Sequence, residues 1–537
     1  MNAHKYLKKF NKENKKYYLI LFIILLISNI IIILVPLLDK YLIDLSLKNQ
    51  SNLSYYIIIG IVLILSIFIV NFVKMYLKQK IGLLVIKKMK TSVMRRILKM
   101  HYRHFQKYDI GYYLVVLNKD ILAFVNNQFS IIVSYLEQLV MFVLSILIMS
   151  YFNFKLTLIT LVIIPLSSIV IMLIQNKIHE KNELFMKAYS DLQNIEHDYV
   201  VGKLTVMLSR SNAFMMSIFD ENLKKYVNEN ITLNTYTILG TSIFQVLQRA
   251  IHVLIMIIGI YWIIQKKDLT LGSLIAFASY ANYLINPITN LSQIRVAKKI
   301  RDTHLKRIID IYPEIENEVK QNNVKSDKVF YKNIQFSNVQ IMYGSNIIIS
   351  NLNMKLLGMK LNVIFGESGV GKTSIAKALL GLESYNGKIL FEKTELQELK
   401  SCIIDNVRYS MPKPYLFNIT VKENIILGRN INFQYFDYLI SLFGIKELLE
   451  KPINSMSNIS DGQKKIVELI RCLVERTGKI YIFDEPTANL DSINRRRVIE
   501  LLCDLAKSKT VIILTHDNDF KNVSSKIINL NELKRGK

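Results

Sequence analysis

The chain has 537 residues, too many for one ordinary hydrophobic core, so its length predicts at least two domains. It is 51% hydrophobic and has a formal net charge of +27. In a soluble protein this charge would suggest nucleic acid as a partner. Here the apolar residues concentrate in about the first 290 residues and basic residues flank them, which is typical of a membrane protein that contacts anionic lipid. We therefore expect membrane lipid, and no nucleic acid, among its partners.

A helix needs about 20 predominantly apolar residues to cross the hydrocarbon core of a membrane. The sequence predicts six such spans, which are Tyr17–Leu42, Tyr55–Leu77, Ile131–Tyr151, Leu156–Ile174, Thr237–Ile264 and Leu271–Ile285, with the last expected to extend to about residue 310. The two long connections, after the second span and after the fourth, keep a helical apolar periodicity, which predicts helices that extend well past the bilayer. The turns near Phe105–Gly111 and Val200–Lys203 are the predicted contact points with a cytoplasmic domain.

Lys and Arg collect in the N-terminal leader and in the two long connections, so these regions are predicted to be cytoplasmic. An even number of spans returns the chain to the same side. The Lys-, Ile- and Asn-rich composition resembles that of an AT-rich bacterial genome. We therefore expect a multi-pass protein of the bacterial cytoplasmic membrane, with its N-terminus and its second half in the cytoplasm. The predicted domains are 1–312 and 325–537.

Polar residues interrupt two of the predicted spans. Glu137 lies in the third span, and Gln245, Gln248, Arg249 and His252 lie near one face of the fifth. Ionisable groups inside a membrane are costly and usually face a cavity or a partner. Two interpretations remain open: a polar lining of a substrate path, or a buried pairing, such as Glu137 with Arg249, that fixes helix packing.

After about residue 310, short strand-like runs alternate with helices in an α/β pattern. The segment Gly366–Thr373 matches GxxxxGKT, between a predicted strand at Leu361–Phe365 and a predicted helix at Thr373–Leu380. This context predicts a phosphate-binding loop for ATP, in which Lys372 reaches the β- and γ-phosphates and the Thr373 hydroxyl binds Mg²⁺. The loop residues predicted to bind ATP are Gly366, Ser368, Gly369, Gly371, Lys372, Thr373 and Ser374.

Two further apolar strands end in residues suited to hydrolysis. The run that starts at Lys479 ends in two carboxylates, of which Asp484 is predicted to hold Mg²⁺ and Glu485 to orient or deprotonate the attacking water. The strand Thr510–Leu514 is followed by His516, which can reach the γ-phosphate from the end of a parallel strand. Taken alone, either feature could be an ordinary strand end with a structural role.

Together these motifs resemble the ATP-binding cassette (ABC) exporter family, and the resemblance covers almost the whole chain. The diagnostic element is Ile459–Gln463, close to the family's LSGGQ signature, with Arg471 following at the family's spacing. Asp484–Asp491 resembles the joined Walker B motif and D-loop, and Leu416–Asn424 resembles the stretch after the Q-loop. Tyr343 resembles the aromatic residue that stacks on adenine.

The resemblance implies a helical membrane domain of six transmembrane helices with long cytoplasmic extensions, followed by an α/β P-loop NTPase domain. It implies that two cassettes pair head to tail, with ATP between Lys372 of one chain and Ser460, Gly462 and Gln463 of the other. With one cassette, the chain is expected to work as a homodimer, or as a heterodimer with a second half-transporter. ATP binding and hydrolysis would then move a substrate outward by alternating access.

Two positions depart from the family pattern. Pro412 occupies the place of the Q-loop glutamine and cannot supply a side-chain oxygen for Mg²⁺. Asp461 replaces the first glycine of the signature pair and would place a carboxylate near the triphosphate unless it points away. Glu485 and His516 are retained, so we expect ATP hydrolysis at a reduced rate. An ATP-binding regulatory half of a heterodimer is the alternative.

The cargo does not follow from these motifs, because a fold does not determine a substrate. Small bacterial exporters of this kind often carry peptides, so a peptide is the favoured cargo and a lipid or multidrug exporter is the alternative. Since the first predicted span begins near residue 17, we expect no N-terminal leader-cutting domain. A soluble cassette ATPase acting on nucleic acid is disfavoured by the predicted spans.

Overall fold

The computed structural model describes residues 3–47, 53–265, 269–311, 330–343, 346–453 and 459–535. The chain forms two compact units, Met1–Met100 with Tyr108–Glu314, and His101–Lys107 with Ile315–Lys537. The predicted domain boundaries at 312 and 325 lie outside the described residues. The role of the predicted turns in transmitting motion stays a prediction.

The described part of the first unit is built from helices, which are long because apolar or amphipathic sequence continues over many turns, even through Pro36 in the second helix and Pro287 in the last. In chain order the helices up to residue 311 are α1 Ala3–Glu13, α2 Lys15–Leu47, α3 Leu53–Lys99, α4 Tyr102–Phe105 (in the second unit), α5 Ile110–Val115, α6 Ile121–Phe152, α7 Phe154–Val201, α8 Lys203–Leu208, α9 Asn212–Ile264 and α10 Leu271–Asp310. The 47, 48 and 53 residues of α3, α7 and α9 each extend over about 70–80 Å at 1.5 Å per residue. This is more than twice the ~30 Å hydrocarbon core, a length that helices extending past a bilayer would need.

Each predicted span lies within one of these helices, but six spans are not confirmed. The helical segments that are long and apolar enough to cross a membrane, among the described residues, are four: Lys15–Leu47, Tyr55–Lys99, Ile110–Phe152 and Asn212–Ile264. In α7 the described apolar run is only Phe154–Ile163, since the side chains at 164–168 and 171–172 lie outside the description. The helix α10, which contains the predicted sixth span Leu271–Ile285 and its expected extension to about residue 310, is not among these four.

The core of the first unit lies where α10 packs against α2 and α6. Leu274, Phe277, Tyr280 and Leu284 recur every three or four residues on α10 and are fully buried, which forms one apolar face of a helix. The Tyr280 hydroxyl donates a hydrogen bond to the carbonyl oxygen of Ile33 on α2 (2.6 Å), so its polar atom is satisfied. The apolar residues of α10 therefore face protein, which explains why this helix differs from the lipid-exposed ones.

An ion pair joins the apolar helices α3 and α6. Lys74 Nζ lies 3.1 Å from Glu137 Oε1 and donates to Ser28 Oγ on α2 (3.3 Å). The side-chain amide of Asn29 donates to the backbone carbonyl of Glu137 (3.2 Å). The side chains of Lys74 and Glu137 are 18% and 30% exposed, so solvent screens the pair incompletely. Lys74 is thus the partner of Glu137, and Arg249, which was named as an example of such a partner, does not occupy this place.

Glu137→Gln is expected to destabilise the first unit, because it leaves the Lys74 ammonium among apolar helices without its counter-charge. We expect a loss of about 1–3 kcal/mol, seen as a lower thermal midpoint of the detergent-purified protein. The matched control is Glu13→Gln, which breaks the Lys88–Glu13 pair, whose side chains are 62% and 45% exposed. Equal midpoints for the two variants would show that the Lys74 pair does not stabilise the unit.

The second unit is an α/β domain. Its strands are β1 Ile334–Tyr343, β2 Asn346–Leu356, β3 Leu361–Phe365, β4 Ser384–Phe391, β5 Thr394–Glu395, β6 Val407–Ser410, β7 Ile480–Asp484, β8 Thr510–Thr515 and β9 Lys526–Asn529. Its remaining helices are α11 Lys372–Leu379, α12 Lys400–Asn406, α13 Val421–Ile426, α14 Phe433–Phe443, α15 Asp461–Leu473, α16 Ser492–Ala506 and α17 Leu530–Arg535. A parallel sheet has the order β6-β7-β8-β3-β9, and an antiparallel sheet has the order β2-β1-β4-β5.

The parallel sheet confirms the predicted strands β3, β7 and β8 and the predicted helix α11. Every side chain of β7 and β8 is buried, as expected for parallel strands that are covered on both faces. Alternate residues enter two separate cores: Phe483 and Ile513 lie in one, and Ile482 and Ile512 lie in the other.

The register of this sheet brings the ends of three strands together. Phe365 pairs with Thr515 across β3 and β8, and Asp484 pairs with Leu514 across β7 and β8. The segments that follow these strands therefore leave the sheet at one carboxyl edge, which is where ligands of open α/β sheets bind.

Candidate functional site

The loop between β3 and α11 has the backbone conformation that its glycine motif predicts. Gly369 and Gly371 have φ angles of 83° and 103°, in the left-handed region that favours glycine. A Cβ atom on Gly371 would also lie 2.9 Å from side-chain atoms of Ile349, so the loop has no room for a larger residue there. Gly371 precedes α11, whose N-terminus presents backbone N–H groups to an anion.

Lys372 lies beneath this loop and is 7% exposed. Its Nζ donates to the carbonyl oxygens of Gly366 (2.7 Å) and Glu367 (3.0 Å), and it lies 3.5 Å from Glu485 Oε1. The lysine therefore connects the loop to the carboxylate that follows β7, two motifs that are more than a hundred residues apart in the sequence.

The other predicted loop residues lie around this lysine. Ser368 is exposed in the loop, and Ser374 is half-buried in the first turn of α11. At Gly366, a Cβ atom would lie 2.8 Å from Val370 Cγ1. The side chain of Tyr343, at the end of β1, lies outside the described part of the chain, so its contact with adenine stays a prediction.

Thr373 and Asp484, the two residues predicted to hold Mg²⁺, lie together. The Thr373 hydroxyl donates to Asp484 Oδ2 (2.7 Å), and the Tyr409 hydroxyl donates to the same oxygen (3.3 Å). Asp484 is 1% exposed, and this burial raises the pKa of its carboxyl group. A hydroxyl and a carboxylate are hard oxygen donors, which fit Mg²⁺ when phosphate and water complete its octahedral shell. No cluster of three or more His, Cys, Asp or Glu elsewhere in the described residues offers an alternative metal site.

Glu485 is held by three side chains from two motifs. His516 Nδ1 lies 2.9 Å from its Oε1, and the Thr515 hydroxyl donates to its Oε2 (3.2 Å). Lys372 approaches the same carboxylate from the phosphate loop. Glu485 itself has a φ angle of 49°, an uncommon conformation for a residue with a Cβ atom. His516 thus contacts Glu485, and this contact can orient the Glu485 carboxylate toward a water at the carboxyl edge of the sheet.

The signature residues lie at the start of α15. Ser460 precedes the helix, where its Oγ accepts a hydrogen bond from the N–H of Gln463 (3.2 Å) and its own N–H donates to Gln463 Oε1 (3.0 Å). This reciprocal capping box explains why the helix begins here. A Cβ atom on Gly462 would lie 2.6 Å from the carbonyl oxygen of Asn489, so the second glycine of the pair is required by a close backbone approach.

The structure separates the polar residues of the predicted spans into two groups. Gln248 Nε2 on α9 donates to Asn282 Oδ1 on α10 (3.3 Å). Gln245, Arg249 and His252 are exposed on α9 in the single chain. Glu137 belongs instead to the cluster with Lys74, and it is not brought together with the residues of α9.

Comparison with known proteins identifies the family. The sequence model of the family "ABC transporter transmembrane region" matches residues 18–288, and that of the family "ABC transporter" matches residues 349–488. The chain belongs to the ABC transporter family.

Two curated ABC relatives illustrate the similarity. The lactococcin-A transport/processing ATP-binding protein of Lactococcus lactis is 25% identical over 411 residues, which cover 74% of this chain and 57% of that protein. The pediocin PA-1 transport/processing ATP-binding protein of Pediococcus acidilactici is 21% identical over 402 residues, which cover 71% of this chain and 54% of that protein. The chain therefore spans a little over half the length of these relatives.

A solved structure shows the same fold. The structure of a bacterial Atm1-family ABC exporter with ATP bound matches with a TM-score of 0.80 and 17% identity, and the match covers 98% of this chain and 97% of that chain. At this identity the likeness supports the ABC transporter fold alone.

The structure shows how this ABC transporter accommodates Asp461. The side chain is 75% exposed and lies 2.9 Å from Lys464 Nζ, one helical turn further along α15. A carboxylate is also favourable at a helix N-terminus. The extra negative charge of the signature is thus balanced within its own turn.

The segment at Pro412 is supported by residues that the sequence analysis missed. Lys465 of α15 donates to the carbonyl oxygens of Met411 (3.0 Å) and Asp484 (2.9 Å), and burial lowers the pKa of this lysine to about 8. A signal was available, since Lys465 lies on the apolar face of α15, where a lysine requires partners. Lys74, Tyr409 and Thr515 were also missed, and their contacts join residues far apart in sequence.

Gly371→Ala is expected to abolish ATP binding, because its methyl group would enter the space beside Ile349 and distort the loop. Gly444→Ala is the control: Gly444 also has a left-handed φ angle, of 66°, but nothing lies within 4 Å of an added Cβ. Binding of a fluorescent ATP analogue by the purified protein measures the effect, and Gly444→Ala should bind normally, with a stability loss of about 1 kcal/mol. If both variants bind as the wild type does, the tight packing at Gly371 is not needed for the loop.

Proposed function

We propose that this chain is half of an ATP-driven exporter that hydrolyses MgATP. The observation that carries the proposal is the convergence of two contacting pairs at one edge of the parallel sheet: Thr373 donates to Asp484, and Lys372 forms an ion pair with Glu485. These groups have the chemistry that phosphoryl transfer to water requires: a cation for the phosphates, oxygen donors for a metal ion and a carboxylate for the water.

In the proposed reaction, the loop N–H groups and the Lys372 ammonium bind the β- and γ-phosphates of ATP. Thr373 and Asp484 would hold Mg²⁺, which when bound neutralises phosphate charge. Glu485 orients the water that attacks the γ-phosphorus and accepts its proton as the bond to the β-phosphate oxygen breaks. His516 and Thr515 hold the Glu485 carboxylate in this orientation, as their contacts with Oε1 and Oε2 indicate.

The complete exporter is proposed to be a dimer, because one chain carries one cassette. Each ATP would be bound between the Lys372 loop of one chain and Ser460, Gly462 and Gln463 of the other. A homodimer is favoured, since Glu485 and His516 are present and in contact. The absence of a side-chain oxygen at Pro412 supports the second candidate, a chain that binds ATP as the regulatory half of a heterodimer.

The membrane half is proposed to comprise residues 1–312 with six spans, and residues 325–537 are proposed as the nucleotide-binding domain. The protein would lie in the cytoplasmic membrane of a bacterium. The N-terminus of the chain and the nucleotide-binding domain would both face the cytoplasm. ATP binding and hydrolysis would switch the spans between inward-open and outward-open states.

A peptide is the proposed cargo, with a lipid or a drug as the alternative. The similarity to the transport/processing ATP-binding proteins of lactococcin-A and pediocin PA-1 supports this choice of cargo. Gln245, Gln248, Arg249 and His252 are proposed to line the path on α9. Glu137, in its separate cluster with Lys74, is likewise proposed to line the path from α6.

Hydrolysis by the purified chain in nanodiscs tests the proposed function. Glu485→Gln is expected to lower kcat for ATP at least about a hundred-fold while ATP binding persists, because the amide cannot accept the proton. Glu500→Gln, which breaks an exposed ion pair with Arg496, is the matched control and should retain wild-type turnover. If the wild type binds ATP without hydrolysing it, the homodimeric exporter is refuted and the regulatory half is supported.

The proposed path on α9 predicts that a cysteine at position 249 reacts with a charged, membrane-impermeant maleimide. A water-filled path admits the reagent and lets the thiol ionise, whereas a thiol facing lipid stays protonated. Ile251→Cys is the control, since Ile251 is 3% exposed and should stay unlabelled. Both variants are made in a chain whose own cysteines, Cys402, Cys472 and Cys503, are replaced by Ser. An unlabelled Arg249→Cys protein, in both the ATP-bound and the ATP-free state, would show that this face of α9 does not line a path.

A further inference from the structure

Lys465 occupies an unusual place for a lysine. It is 2% exposed, in the second turn of α15, and its ammonium reaches under the nucleotide site from the helix that begins at the signature. The three carboxylates whose charges act on it belong to Glu468, Asp484 and Glu485. A buried ammonium is costly unless charges and hydrogen-bond acceptors compensate it, and here both are present.

The two carbonyl oxygens that accept from Lys465 belong to different parts of the site. One is the carbonyl of Met411 (3.0 Å), directly before Pro412. The other is the carbonyl of Asp484 (2.9 Å), at the end of β7. Glu468, one turn further along α15, accepts a hydrogen bond from the backbone N–H of Met411. A single face of α15 therefore holds both polar groups of the Met411 backbone and ties them to the end of β7.

The contact with Asp484 bears directly on Glu485. The peptide between these two residues is held on both sides, because its carbonyl accepts from Lys465 and its N–H donates to the carbonyl oxygen of Leu514 (2.9 Å). Glu485 follows this peptide with a φ angle of 49°, a conformation that surrounding contacts must impose on a residue with a Cβ atom. Fixing the peptide plane fixes the direction in which the Glu485 side chain leaves the backbone.

We propose that Lys465 is a positioning residue for ATP hydrolysis, which holds the Asp484–Glu485 peptide and the Met411 carbonyl in one arrangement and so sets the orientation of Glu485. The inference rests on the proposed hydrolytic function. It also gives a reason why hydrolysis survives at a site with Pro412: the segment that carries no glutamine is anchored through its backbone instead. Lys465 does not touch the phosphates, so its effect falls on turnover and not on nucleotide affinity.

The kinetic test compares Lys465→Met, which keeps the length of the side chain and removes its charge and its hydrogen bonds, with wild type. We expect kcat to fall about ten-fold to a hundred-fold with KM for ATP changed less than about two-fold, because a small misplacement of the general base slows chemistry without weakening binding. Lys465→Arg, which can donate to both carbonyls, should recover part of the turnover. Lys507→Met, in an exposed pair with Asp504, is the control for loss of a lysine charge.

A second measurement does not depend on turnover. Amide hydrogen exchange of the nucleotide-free protein should show faster exchange at Met411 and at Glu485 in Lys465→Met, with unchanged exchange in α11 and α16. If Lys465→Met does not yield folded protein, Lys465→Gln, which retains a donor, carries both measurements with the same expectations.

The outcomes separate this inference from the proposed function. Wild-type turnover in a folded Lys465 variant overturns the positioning role, and so does a rise in exchange spread over the whole unit, which would mark a general packing role. A loss of ATP affinity equal to the loss of kcat/KM also overturns it. If the wild type does not hydrolyse ATP, the proposed function fails, and the local change in exchange still decides whether Lys465 holds the peptide before Glu485.

Discussion

The parallel pairing of β8 with β3 on one side and with β7 on the other decides where every group of the nucleotide site lies. Because β8 is central, the loop after β3, the carboxylates after β7 and His516 after β8 leave the sheet side by side. The register is set by apolar packing: a slip of one residue in β7 would exchange Ile482 and Phe483 between two well-filled cores. The apolar side chains of the strands therefore fix the distances among the polar groups at the carboxyl edge of the sheet.

The sequence predicted those parts of the site whose functional residues lie in one short segment with a recognisable local structure. The strand, glycine turn and helix around Lys372 are encoded within some twenty residues, and the apolar runs before Asp484 and His516 could only be buried strands. Contacts between motifs could not be predicted in the same way. Glu137 illustrates this. Its charge indicated that it needs a partner, but the packing of the helices places Lys74, and not Arg249, beside it. The sixth span was ambiguous for a related reason, because α10 buries its apolar face against protein and needs few lipid-facing residues.

The two departures from the family pattern have different physical consequences. Asp461 changes a charge at the surface of a helix terminus, where Lys464 and the helix dipole both compensate it. Pro412 removes a potential metal ligand, and nothing on its own side chain compensates this. The backbone of the preceding residue is fixed instead, since Lys465 and Glu468 satisfy its carbonyl and N–H groups. The structure thus shows, beside Pro412, an anchored backbone without a side-chain metal ligand.

The helix α15 also joins two sites that the proposed dimer would keep apart. Its N-terminus carries Ser460 and Gly462, which would face the ATP held by the partner, while Lys465 lies against Asp484 of its own chain. Between these residues lie fewer than two helical turns, too short a distance for the helix to bend appreciably. A displacement of the signature on closure must then move the ammonium, and with it the peptide before Glu485. Rigid helix geometry alone would thus couple nucleotide occupancy at one site to the readiness of the base at the other, provided that the buried lysine keeps both of its carbonyl partners.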